Sequence, residues 1–141
     1  MKPVPALQAT LAAEHAAVFV YGVLGGRVSA ARDPSVAALL RSAYDTHRGR
    51  RDRLRAVISG LGRVPVAAEV AYEVSAQNRS AAHLAQVALD TERRCAVVYS
   101  QLVASSTGAQ RRWAVEALTD AALRELTFGG EPEAWPGAPE L

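Results

Sequence analysis

Two glutamates and two tyrosines recur at one spacing in this chain: Glu14 with Tyr21, and Glu92 with Tyr99, each pair seven residues apart. Seven residues make about two helical turns, so each pair shares one face of a helix. The neighbours recur as well. Leu11, Glu14, Val20, Tyr21 and Leu24 align with Leu89, Glu92, Val98, Tyr99 and Leu102 at a constant offset. On the first segment the apolar seam reads Leu7, Leu11, Glu14, Val18, Tyr21, Gly25, Val28, and on the second Ala85, Ala88, Glu92, Cys95, Tyr99, Leu102. A carboxyl group on such a seam is costly to bury unless it is paired, protonated or bound to a cation. The chemistry open to these four residues is therefore cation binding, or an internal network with tyrosine and arginine.

His47 is the third polar residue placed on a seam, with Leu40, Ala43, Leu54, Val57 and Leu61. It suits a ligand or proton-handling role and equally a buried hydrogen-bonding one. Tyr44 and Arg50 stand three residues to either side of it, so they join Tyr21 and Tyr99 in an expected core polar network, with Arg50 able to neutralise the glutamates. The other arginines of this run, Arg48, Arg51, Arg53 and Arg55 after Arg41, spread around the helix. Asp52 offers ion pairs to Arg48 and Arg55, and the remaining cations leave room for a small anionic ligand. His15 points about 100° away from Glu14 and cannot share its centre. His83, near a helix start, is expected to be exposed.

Long helices must hold these residues, and the punctuation supplies four. Pro3 and Pro5 precede a helical pattern over about 6–31, and Asp33 with Pro34 signals the start of a second over about 34–60. Gly60, Gly62 and Pro65 end it, and the segment to Asn78 is a weakly periodic connection with room for a short helical turn. Asn78 or Ser80 caps a third helix over about 79–104, and a fourth covers about 108–127. The tail, 129–141, holds three prolines and is irregular, either frayed or pinned by Trp135. This order predicts an all-α four-helix bundle in one domain, two antiparallel hairpins joined by a long crossover. The crossover is long enough, since about 16 extended residues reach roughly 50 Å and a helix of about 24 residues spans roughly 36 Å.

Several runs look alike to one family. Ala13-Glu14-His15-Ala16-Ala17-Val18, the Tyr21-Gly22 step, His47-Arg48-Gly49-Arg50-Arg51-Asp52 and the closing Pro136-Gly137 resemble a bacterial ferritin-like family catalogued as a domain of unknown function. The likeness spans nearly the whole chain and implies a ferritin-like bundle without an established activity. A di-iron site of that superfamily takes one glutamate from each of two helices and a Glu-x-x-His pair from each of the other two. Glu14 and Glu92 match the single-glutamate positions and His47 matches one histidine, but Tyr44 stands where its carboxylate belongs. On the fourth helix Glu116 is followed three residues later by Thr119, then Asp120, so that histidine is absent. The resemblance thus leaves Glu14, His47, Glu92, and Glu116 or Asp120 as metal ligands, too few carboxylates for an assured di-iron centre.

Composition narrows the function classes further. Of the 141 residues, 50% are hydrophobic and 6% aromatic, and the net charge of +2 is too small to point to a polyanion. The lone Cys95 excludes an internal disulfide and suits a reducing compartment. The most apolar stretch, Ala16–Gly26, is too short for a membrane span, and no basic leader precedes it, so a cytoplasmic setting is expected. Nucleophile motifs, phosphate loops and cysteine clusters are missing. The favoured expectation is a non-enzymatic ferritin-like bundle with a degenerate metal centre, forming a homodimer through an exposed apolar face. The alternative is a redox protein holding iron or manganese on the reduced carboxylate and histidine set.

Overall fold

The computed structural model describes residues 2–138 and consists of four helices: α1 Pro3–Arg27, α2 Pro34–Gly60, α3 Ala81–Ser105 and α4 Gly108–Thr127. Met1 and residues 139–141, with the end of the expected tail, lie outside the described residues. Helix α1 packs on α2 and α3, and α3 packs on α4, giving a four-helix bundle of two hairpins.

Local chemistry sets most helix ends. Pro34 opens α2 at the position Asp33 and Pro34 signal, although the Asp33 side chain makes no capping bond. At the other end Gly62 takes φ +68°, and the amides of Leu61, Gly62 and Arg63 close on the carbonyls of Val57, Ser59 and Ile58. Ser80 caps α3 by accepting the His83 amide, while Asn78 Oδ1 accepts the Ser80 amide. Helix α4 matches its expected bounds.

The first helix differs from expectation at both ends. It begins at Pro3, where proline at the first turns needs no amide partner, and stops at Arg27 instead of 31. Gly25 and Gly26 weaken the last turn, Val28 goes extended, and the Ser29 carbonyl gathers the Arg32 and Asp33 amides into a separate turn.

The crossover contains no helical turn and lies as a strap along α1. The Gln8 side chain donates to the Val64 carbonyl and accepts the Val66 amide, at 2.7 and 2.8 Å. His15 Nε2 meets the Val66 carbonyl, Phe19 packs on Tyr72, and Arg27 donates to the Ala76 carbonyl. These contacts follow one another in the same order on both segments, so the strap runs parallel to α1 and delivers α3 at its far end. Helix α3 must then run antiparallel to α1. His83 is half-buried, not exposed, because its ring turns back to the Ser75 carbonyl at 2.7 Å.

Two apolar clusters fill the interior. One holds Leu24, Leu40, Leu84 and Ala88; the other holds Leu7, Leu11, Leu54, Ile58 and Leu102. Glu14 and His47 fall at their junction. Val18 is only half-buried, and Gly25 and Leu61 are exposed, whereas Leu24 and Ile58 are fully buried in the turns beside them. A seam extended by strict spacing drifts off the true inward face over several turns. Among the described residues α1 alone is long and apolar enough to cross a membrane by length and composition. Its inward face, Glu14 included, is buried against the other helices.

The tail crosses back over the second hairpin. Trp135 does not pin it, being 61% exposed; instead Gly137 presses on α3, where a Cβ would stand 2.2 Å from the Ala96 carbonyl oxygen. Only glycine fits that approach, and φ of +73° favours it as well.

Candidate functional site

The antiparallel run of α1 and α3 crosses the two repeated pairs. Tyr21 of α1 donates to Glu92 Oε1 of α3 at 2.5 Å, and Tyr99 of α3 donates to Glu14 Oε1 of α1. Each tyrosine thus serves the glutamate of the other hairpin. His47 of α2 fills the space between the acids, with Nδ1 2.7 Å from Glu14 Oε2 and Nε2 3.1 Å from Glu92 Oε1. All five side chains are buried, and the Tyr21 ring lies nearly parallel to the imidazole, 16° off, with centroids 5.3 Å apart.

Each ring nitrogen faces a carboxyl oxygen, so when the imidazole is protonated both nitrogens donate, one to each acid. Burial alone would push His47 down, but the hydrogen bonds to Glu14 and Glu92 outweigh it and hold its pKa at about 9. Burial, reinforced by Glu92, pushes the Tyr21 phenol up. Burial, with Cys95 and Glu14, does the same at Tyr99, so both phenols remain donors. The Cys95 thiol, also buried near both acids, is driven up and stays protonated.

A second polar layer joins α2 to α4. Arg50 donates to the Tyr99 hydroxyl at 3.3 Å and to Asp120 Oδ2 at 2.8 Å. Arg124 donates to the same Asp120 oxygen at 3.0 Å and to Thr46 at 2.8 Å. Burial works against the Asp120 carboxylate, but the two guanidiniums hold its pKa below the usual range. Arg50 therefore reaches Glu14 only through Tyr99. Asp52 pairs with its neighbour Arg51 at 2.9 Å, instead of Arg48 or Arg55, and Arg53 lies over the Trp113 ring.

Of the ligands expected from sequence, Glu14, His47 and Glu92 come together. Glu116 is exposed on α4 and outside the centre, and Asp120 is engaged by two arginines. The reason is helical phase. Ala114, Ala117 and Ala121 form the inward stripe of α4, and Glu116 and Asp120 each stand one residue, about 100°, away from it. The next residue on that stripe is Glu125, which sequence reasoning missed although the spacing of the three alanines pointed to it. It is buried, its Oε2 is 3.7 Å from Arg93 Nε, and its Oε1 has no hydrogen-bond partner among the described residues. Burial, with Glu133 and Glu92 nearby, raises its pKa to about 7. Tyr44 is not part of the network. It is half-buried against the apolar core and faces a cleft between α1 and α2.

This donor set does not fit two metal ions. Both Glu14 oxygens are already engaged, both His47 nitrogens face carboxyl oxygens, and among the described residues Glu92 Oε2 alone remains an unpartnered buried oxygen in the centre. Among the described residues no three histidine, cysteine, aspartate or glutamate side chains are arranged to hold a metal ion.

A solved structure of similar shape is that of a conserved hypothetical protein, rv2844, from Mycobacterium tuberculosis, with a TM-score of 0.79 and 30% identity over 92% of each chain. No curated protein matches this sequence. Residues 6–140 match the family described as a domain of unknown function, DUF4439. That match over nearly its whole length places the chain in the DUF4439 family.

Proposed function

We propose that this chain is a non-enzymatic, ferritin-like bundle of the cytoplasm in which a protonated histidine has taken the position of a metal. One observation carries the reading: both nitrogens of His47 face carboxylate oxygens, at 2.7 and 3.1 Å, in a fully buried site. An imidazolium there supplies the positive charge that a cation would otherwise bring, and it does so with two directed hydrogen bonds. The crossed tyrosines complete the set. The centre then joins the hairpins and defines one packing of the bundle, leaving binding of a partner or small ligand to the surface.

Elemental analysis after iron or manganese loading and desalting tests this, beside a Glu14→Gln, Glu92→Gln double variant. Background metal in both proteins is the expected result, together with two protonated ring nitrogens on His47 by nitrogen-15 NMR at neutral pH. Stoichiometric metal that disappears in the double variant overturns the reading. A second reading, a redox protein holding one iron or manganese ion, is favoured by the unpartnered Glu92 Oε2. It requires His47 to release a proton and turn a lone pair toward the ion. The same loading experiment decides between them.

A further inference from the structure

Beside the polar centre, the bundle opens between the end of α1 and the first half of α2. The cleft has a volume of about 680 Å³, the size of a site for a small organic molecule. Its walls are mostly apolar, with Gly22, Gly25, Val28, Ala37 and Ala38 holding the two helices' side chains back from the space. Tyr44 lines it from α2, and the buried Tyr21 lies beneath its floor.

Helix packing does not require glycine here. A Cβ at Gly25 would meet nothing within 4 Å, and one at Gly22 would make only an ordinary 3.8 Å contact with Tyr44. Glycine is a poor helix residue, so these positions keep an open space at a cost to α1. Arg41 and Asp45 also line the cleft, one turn apart on α2. Among the described residues they make no ion pair with each other or with any other side chain. Their charges are opposite, so the cleft has no net charge to select an anion or a cation. What the pair offers is a donor beside an acceptor, above an apolar slot lined by the Tyr44 ring.

We propose that this cleft binds a flat, uncharged aromatic molecule whose edge carries a hydrogen-bond acceptor for Arg41 next to a donor for Asp45. A ring lactam has that edge. The ring system fills the slot against Tyr44, and the polar edge faces Arg41 and Asp45. This assignment is independent of the reading of the centre, because none of its contacts requires His47 to be protonated or a metal to be absent.

Titration of the full chain with 2-quinolone, a fluorescent neutral lactam with adjacent N–H and C=O groups, tests the proposal. Saturable binding of one molecule per chain is expected. N-methyl-2-quinolone, which lacks the donor, should bind about fivefold to tenfold more weakly, and Asp45→Ala should erase that difference. Gly25→Leu places a side chain in the cleft and should weaken binding at least about tenfold, with the helical content and melting temperature retained or raised. Tighter binding of 2-naphthoate than of the lactam would overturn the neutral ligand in favour of an anion. Absence of saturation up to the solubility limit, or equal binding by Gly25→Leu, would overturn the site itself. A dimer by sedimentation that Gly25→Leu splits would show the cleft to be a contact between copies.

Discussion

Helices α1 and α3 repeat their acid and their phenol in the same places, while α2 and α4 differ at the position that faces those acids. Glu14 and Tyr21 repeat as Glu92 and Tyr99, yet His47, thirteen residues after Pro34, corresponds to Ala121, thirteen after Gly108. Both positions are fully buried. Arg50 and Arg124 also correspond by this count, and both donate to one carboxylate oxygen of Asp120, which has no acidic counterpart on α2, since the matching residue is Thr46. The symmetric pair of helices supplies the acids and phenols, and the asymmetric pair supplies one base. A single imidazole has two nitrogens, so one histidine serves both acids and a second would bring an unneeded charge into the core.

The sharpest way to break this comparison is to remove the shared base. His47→Ala leaves two buried carboxyl groups without their common donor and should lower stability by about 3–5 kcal/mol, read from urea unfolding at pH 7. A loss below about 1 kcal/mol would mean that the acids do not depend on the ring.

Next in size is the effect of pH. The pKa of His47 is raised from 6.5 to about 9 by folding, so its contribution is fully present below pH 6.5 and fades as pH rises toward 9. The wild-type chain should lose roughly 3 kcal/mol between those limits, and His47→Gln should lack most of that slope. Glu125, raised from 4.5 to about 7, acts in a lower window. Here the unfolded chain releases its proton first, so stability falls between pH 4.5 and 7. That segment of the profile should flatten in Glu125→Gln.

The two phenols sharpen the comparison on a smaller scale. Tyr99→Phe strips Glu14 Oε1 of its donor, whereas Tyr21→Phe leaves Glu92 Oε1 still bonded to His47. Both should destabilise, within about 1–3 kcal/mol, and Tyr99→Phe should cost the more of the two in paired melts. Smallest is Asp120→Asn, about 1 kcal/mol, because this carboxylate is 38% exposed and solvent screens its arginines. Equal losses at Tyr21 and Tyr99 would show that the centre treats its two halves alike.

The parts of this site legible in the sequence are those governed by helical period over one or two turns. The Glu14–Tyr21 and Glu92–Tyr99 spacing placed four buried residues correctly, and proline, glycine and the Ser80 cap marked three of the four helices closely. Phase was less legible on α4, where the alanine stripe is short and small. Glu116 and Asp120 looked inward by analogy with a metal motif, although Ala117 and Ala121 mark the true face. Tyr44 illustrates a different limit: it lies on a partly inward face, but the small residues opposite leave a cleft there, and no single-helix pattern reveals what the opposing helix omits. The crossing of the pairs was also hidden, since which tyrosine meets which glutamate depends on the antiparallel course imposed by the strap.

That crossing has a consequence for how the molecule can be divided. Tyr21 meets Glu92 and Tyr99 meets Glu14, so residue i meets j while the copy of j meets the copy of i, the reciprocity of an isologous subunit interface contained in one chain. Neither hairpin alone can satisfy its own acid by these bonds. A cut in the strap, at the fully exposed Val70 for example, leaves two fragments that each present a phenol and a carboxyl group the other is shaped to meet. The halves of this chain are related as the subunits of a dimer, and the strap supplies their effective concentration.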